Sequence, residues 1–166
     1  SGDLLEGRRV RAIYVGGGIA SVASPDKLSR MLLEFKRRVD KVRGMELTIR
    51  FSPRTVGSPS LSAFNVCSYN RASLEVLATR DEFLTYLEAP QNMADITKAL
   101  GYMDAFGVPN IDCEILYGIP GQTPTSLKNA AVACTGGRGM VHVTLRPYTG
   151  PGSEEVSEED RKAQHA

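Results

Sequence analysis

An open, mostly parallel α/β sheet of about five strands with helical crossovers is the fold class the sequence predicts. Two observations carry it. Five short runs rich in apolar and β-branched residues alternate with stretches of helical spacing, in the order βαβαβαβαβ. Several of those runs end directly in turns of Gly, Ser and Pro, as at Gly16-Gly17-Gly18, Ser52-Pro53 and Gly118-Ile119-Pro120-Gly121. Strands joined through helices run parallel with right-handed crossovers, and five such units are too few to close an eight-stranded barrel.

The first strand is Val10–Val15, and the three glycines behind it leave bare backbone that is costly to order. Either a ligand approaches there or the chain turns where no side chain fits. Ser24-Pro25-Asp26 then starts a helix, with Ser24 as N-cap, proline at the first position and an acid at the positive end. Leu28, Met31, Leu32, Phe35 and Val39 recur on one face of it. Glu46–Phe51 is the second strand, and a short, weak helix covers 58–65. Ala72–Leu77 is the third strand, and Thr79-Arg-Asp-Glu82 reads as a capping box opening a short helix that Ala89-Pro90 interrupts. Ile96, Leu100, Met103 and Phe106 mark a longer helix stopped at Gly107. Ile111–Tyr117 is the fourth strand. Thr123-Pro124 caps a helix carrying Leu127, Ala130, Ala131 and Cys134, and Met140–Leu145 is the fifth strand. Residues 151–166 are polar and Glu-rich, a flexible tail, and residues 1–9 read as an N-terminal extension or tag remnant.

Composition removes several function classes. With 20 basic and 19 acidic side chains, bulk charge does not point to nucleic acid. The charge is uneven, since residues 1–54 hold 12 basic and 6 acidic groups, and Arg50 and Arg54 would attract a small anion. No run approaches a membrane span and no signal peptide is visible, so the expected location is cytoplasmic. Cys67, Cys113 and Cys134 are too far apart for a metal knuckle, and their odd number does not suggest a disulfide framework. Neither Gly-x-Gly-x-x-Gly, a phosphate loop nor a nucleophile elbow is present. Of the two histidines, His142 sits on a strand and His165 in the tail. Asp112 and Glu114 share a strand face, forming a small acid cluster with Glu75 or pairing with Arg50 or Arg71.

The stretch Cys113-Glu-Ile-Leu-Tyr-Gly-Ile-Pro-Gly-Gln-Thr123, with "IYVGGG", "SPDKLSRML", "RFSPRTV" and "LRPYTGPGS", resembles the oxygen-independent coproporphyrinogen III oxidase-like branch of the radical S-adenosylmethionine enzymes, the HemN and HemW group. The resemblance covers roughly residues 10–152. It implies a partial TIM-type (β/α) barrel over 10–150, with S-adenosylmethionine and a four-iron, four-sulfur cluster as the family's cofactors. It also implies that Gly16, Gly17 and Gly18 lie under the methionine moiety, and that the turn of Gly118, Pro120 and Gly121 lies near the adenosine.

The departures from the family pattern shape the functional expectation. The Cys-x3-Cys-x2-Cys loop and the strand before it are absent from this sequence. The family's Glu-x-Asn-Pro is replaced by Arg50-Phe51-Ser52-Pro53, which puts a cation where a carboxylate would meet the ligand's ammonium. Gly-Val-Gln-Ser becomes Glu75-Val76-Leu77-Ala78, Glu114 stands for an aspartate that faces the ribose, and Ile19-Ala20 replaces a Thr-Pro. The expectation is therefore a fragment or degenerate relative that is not catalytic as this chain and carries no cofactor. The alternatives are a noncatalytic module for a nucleoside, a tetrapyrrole or another anion, and a structural, self-associating protein. Any ligand is expected at the strand C-terminal ends, among Gly16–Gly18, Arg50, Ser52, Glu75, Glu114 and Gly118–Gly121. A homodimer through open sheet edges is expected as well.

Overall fold

The computed structural model of the 166-residue chain describes residues 9–16, 24–136 and 141–153. Five strands form one parallel sheet in the order β1-β2-β3-β4-β5: β1 Arg9–Val15, β2 Asp40–Phe51, β3 Arg71–Leu77, β4 Ile111–Tyr117 and β5 Val141–Pro147. The crossovers carry α1 Pro25–Arg38, α2 Ser58–Val66, α3 Asp81–Tyr86, α4 Met93–Ala105 and α5 Pro124–Thr135, with a 3-10 turn at Pro53–Thr55 after β2. The sheet is curled into a half-barrel. Tyr14 on β1 reaches Glu114 on β4 at 3.3 Å, whereas three strand spacings across a flat sheet would be about 14 Å.

The two faces of the sheet are chemically opposite, as the two-residue period of a strand requires. Leu47, Ile49 and Phe51, Ala72, Leu74 and Val76, and Ile111, Cys113 and Ile115 are buried with Leu61, Phe64, Ile96, Leu100, Met103 and Leu127 from the helices. That layer is the core. Intervening positions on the strands turn Tyr14, Arg50, Ser73, Glu75, Asp112, Glu114, His142, Thr144 and Arg146 to the concave side, where they bond one another.

Helix starts follow local chemistry. Ser24 Oγ accepts the Lys27 amide, Asn92 caps α4 through the Asp95 amide, and Thr123 caps α5 reciprocally with Ser126. Gly107 ends α4 at φ +66°, in the left-handed region where glycine has no penalty.

Three sequence readings need correction. The strand expected from Glu46 begins at Asp40; its first part pairs with Arg9 and Val10, and a register shift carrying Gly44 at φ +78° precedes the regular ladder. Thr79 does not cap α3. Arg80 is the N-cap and makes no side-chain cap, since a guanidinium has no acceptor to offer; Asp81 accepts the Met93 amide and ties α3 to α4. In α1, Leu28 and Leu32 are buried, as is Val39 just past its end, but Met31 is 52 % and Phe35 36 % exposed, so the buried stripe is narrower than the apolar one.

Met140 and residues 17–23 lie outside the described residues, as do 1–8 and 154–166 with His165. The start of the predicted tail is anchored: the Pro151 carbonyl accepts both Tyr86 Oη at 2.7 Å and Tyr148 Oη at 3.0 Å.

Candidate functional site

Glu114 stands at the centre of the concave face. Every other strand sends it a donor: Tyr14 of β1 at 3.3 Å, Arg50 of β2 at 2.8 Å, Ser73 of β3 at 2.6 Å and Arg146 of β5 at 2.9 Å. Burial by itself would push the Glu114 carboxyl up. The hydrogen bonds from Ser73 and Arg146 and the charges of Arg50 and Arg146 outweigh it and hold the group below the usual carboxylate range. The Tyr14 hydroxyl is pushed up, first by burial.

Arg50 joins two carboxylates through one nitrogen. Its Nη2 lies 2.9 Å from Glu75 and 2.8 Å from Glu114, and the side chain is only 15 % exposed. The Arg50 Nε is buried with no hydrogen-bond partner among the described residues. Of the two sequence readings for the acids, pairing with arginine is the one observed. Asp112, one pleat below Glu114, likewise takes Arg71 at 3.4 Å, His142 Nδ1 at 3.0 Å and the Thr144 hydroxyl at 2.8 Å.

The remaining expected residues fall around this network. Gly16 ends β1, and a Cβ there would collide with the Tyr14 ring, which lies over its backbone. The bare backbone of Gly16 thus serves the tyrosine that reaches Glu114. Gly17 and Gly18 lie outside the described residues. Ser52 is buried, and its carbonyl accepts the amide and hydroxyl of Thr55 in the turn after β2. Gly118, Pro120 and Gly121 form the turn after β4, where the Gln122 side chain accepts the Gly118 amide and donates to the Leu116 carbonyl. A Cβ on Gly152 would come within 3.0 Å of the Pro120 ring, which places Pro120 beside the segment after β5. Leu77, at φ +66°, ends β3 in the left-handed region, where the β3–β4 register shifts. The buried Gln91 amide donates to the Glu75 carbonyl beside that irregularity.

Sequence reasoning missed Tyr14, Ser73, Arg146 and Gln122. Alternation gave a usable signal for two of them, since Ser73 shares a face with Glu75 and Arg146 shares one with His142 and Thr144. An open groove of ≈ 440 Å³ runs beside β1 and α1, lined by Ile13, Val15, Leu28, Met31, Leu32 and Phe35 and reaching Tyr14 and Gly16.

No family model matches the chain. It is 25% identical over 121 residues to the heme chaperone HemW of Haemophilus influenzae, covering 73% of this chain and 32% of that protein. It is 23% identical over 122 residues to an oxygen-independent coproporphyrinogen III oxidase of Bradyrhizobium diazoefficiens, covering 72% and 27%. Among solved structures, the radical SAM enzyme coproporphyrinogen III oxidase (HemN) of Escherichia coli shares the fold with a TM-score of 0.76 at 18% identity, over 99% of this chain and 40% of that one. The chain spans about a third of the length of the curated relatives it matches. Its sequence homologues are HemW- and HemN-type, coproporphyrinogen oxidase-like radical S-adenosylmethionine proteins, and the half-barrel is the fold it shares with them.

Proposed function

We propose that this chain is the barrel portion of a coproporphyrinogen oxidase-like protein whose concave face does not take S-adenosylmethionine in the family manner, and that it is noncatalytic in radical chemistry. One observation carries the reading. Arg50, at the position where the resemblance implies a carboxylate for the ligand's ammonium, is a cation bonded to Glu75 and Glu114. An ammonium placed at that position would meet a guanidinium in place of the implied carboxylate, and the neighbouring Glu75 and Glu114 are already bonded to Arg50. The other contacts agree: Leu77 offers no hydrogen bond where a glutamine is implied, Glu114 is committed to four donors, and the Tyr14 ring covers Gly16. The residues described therefore do not fit the cofactor, and no reaction step is drawn through it.

Calorimetric titration of S-adenosylmethionine into the protein tests this. The expected result is no saturable heat; a micromolar Kd, about −8 kcal/mol of binding, overturns the reading.

A second reading keeps a ligand. The names of the relatives, a heme chaperone and a coproporphyrinogen oxidase, favour a tetrapyrrole, and Arg146 and His142, 51 % and 68 % exposed, present cationic and imidazole groups on the concave side. A hemin titration followed by absorbance tests it. Self-association belongs to the same proposal, supported by the exposed Tyr14, Met31, Leu33 and Phe35 on and beside β1. Sedimentation equilibrium giving only the 18.0 kDa species at tens of micromolar would reject it. Cytoplasmic placement remains part of the proposal. No helix among the described residues is long and apolar enough to cross a membrane.

A further inference from the structure

β1 forms one edge of the sheet. It pairs with β2, and its other row of backbone groups meets no strand among the described residues. Edge strands are normally blunted by charge, proline or a covering element. The stretch Ala12-Ile13-Tyr14-Val15 carries neither a charge nor a proline. Beside it lies the open groove of ≈ 440 Å³, floored by Ile13, Val15, Leu28 and Leu32, with Met31 and Phe35 of α1 exposed along it. The outward row of α1 reads Lys27, Met31, Glu34 and Arg38, one residue per turn on a single stripe. That row is complementary to itself when reversed: an antiparallel copy sets Lys27 beside Glu34 of the second copy on both sides of the axis, with Met31 between.

We propose that the groove is filled by a second copy of this chain, joined through an antiparallel β1–β1 pair about a two-fold axis normal to the sheet. The proposal rests on the self-association reading above and adds where and how the copies meet. Such an axis keeps both α1 helices on the same side of the joined sheet. Because α1 runs back along β1, the helices are antiparallel as well, which is the alignment that pairs lysine with glutamate. With a flat junction their axes lie two strand spacings apart, about 9–10 Å. Helices pack at about 8–10 Å. Met31 of each copy then covers the groove of the other, and the free strand edge of each gains a ladder. Arg9 and Arg11, at the start of β1, fall at opposite ends of the pair, away from the same residues of the second copy.

Sedimentation equilibrium of the unsubstituted chain, Met31→Glu and Val132→Glu tests this interface. Val132 of α5 is 59 % exposed and Met31 52 %, so both substitutions spare the core, but Val132 lies far across the sheet. The expected result is a dimer at tens of micromolar that is at least about tenfold weaker in Met31→Glu and unchanged in Val132→Glu. Lys27→Glu should weaken it too, and adding Glu34→Lys should restore it. Oxidation should link Met31→Cys, and not Val132→Cys, into a covalent dimer; Cys67, Cys113 and Cys134 are buried and leave the new thiol to report. A dimer that Met31→Glu leaves intact, or that links through Val132→Cys, overturns this interface while self-association stands. An unsubstituted chain that sediments only as the 18.0 kDa species overturns both.

Discussion

Replacing Glu114 by glutamine removes the one negative charge that meets donors from four other strands, while keeping the shape of the side chain. The Ser73 hydroxyl can still donate to the amide oxygen, so that bond contributes little to the loss. The Arg146 pair is half exposed and is worth about 0–1 kcal/mol. The Arg50 pair dominates, because removing one partner of a buried ion pair typically costs about 3–5 kcal/mol. Relief from desolvating the carboxylate offsets part of this, and the remaining Glu75–Arg50 bond offsets a little more. The net expectation is a loss of about 3 kcal/mol, or about 6–12 °C in Tm for a chain of this size. Thermal and urea denaturation of Glu114→Gln, Arg50→Ala and the double variant would measure it, with a coupling energy of at least about 1 kcal/mol between the two sites. A drop under about 2 °C, or strict additivity, would refute the view that this carboxylate organises the sheet. The pH dependence gives a second readout. The folded state holds the carboxyl below its ordinary range, so its contribution is present at neutral pH and is lost as pH falls through the lowered value. Glu114→Gln should therefore show a flatter loss of stability in acid.

Further outcomes follow from single contacts. Gly16→Ala places a Cβ against the exposed Tyr14 ring and should lower stability by about 0.5–1.5 kcal/mol, the worth of the Tyr14–Glu114 hydrogen bond it displaces; Tyr14→Ala in the same chain should remove most of that penalty, both read by denaturation. Gly152→Ala, at φ +76° with its Cβ 2.9 Å from Tyr86 Oη and 3.0 Å from Pro120, should lower Tm and release the 148–153 segment, read as faster proteolysis there. Gln91→Met keeps the volume but withdraws the donor from the Glu75 carbonyl; a loss of about 1–3 kcal/mol is expected in urea denaturation.

Much of the fold was legible because strand positions here are written in burial. Leu74, Val76, Cys113 and Ile115 are apolar for the same reason that they are covered by helices. The caps at Ser24 and Thr123 were equally readable, since each is a local hydrogen bond. The first half of β2 was not, because Asp40–Gly44 is charged and ends in glycine, with no apolar alternation to mark it. The cap expected at Thr79 failed because the helix starts one residue later, with Arg80 at the N-cap and Asp81 bonded to the Met93 amide. At the site, residue types and shared faces were legible, and pairing with Arg50 or Arg71 stood beside an acid cluster as an equal reading. The choice between them depends on curvature. Tyr14 and Glu114 are 100 residues apart in the chain, and only a curled sheet brings them within 3.3 Å.

The convergence on Glu114 has a kinetic consequence. Its contacts span 32 residues to Arg146, 41 to Ser73, 64 to Arg50 and 100 to Tyr14. An intermediate holding only β3 and β4 would carry the carboxylate with Ser73 alone, and each added strand brings one more donor to it. Partial sheets are therefore penalised at the same atom pair that stabilises the finished one, which favours folding in a single cooperative step. Contacts of such long range also mean high contact order, and therefore slow formation. β1 closes the longest of these loops, so its capture is the step on which the rate of reaching the complete half-barrel should most depend.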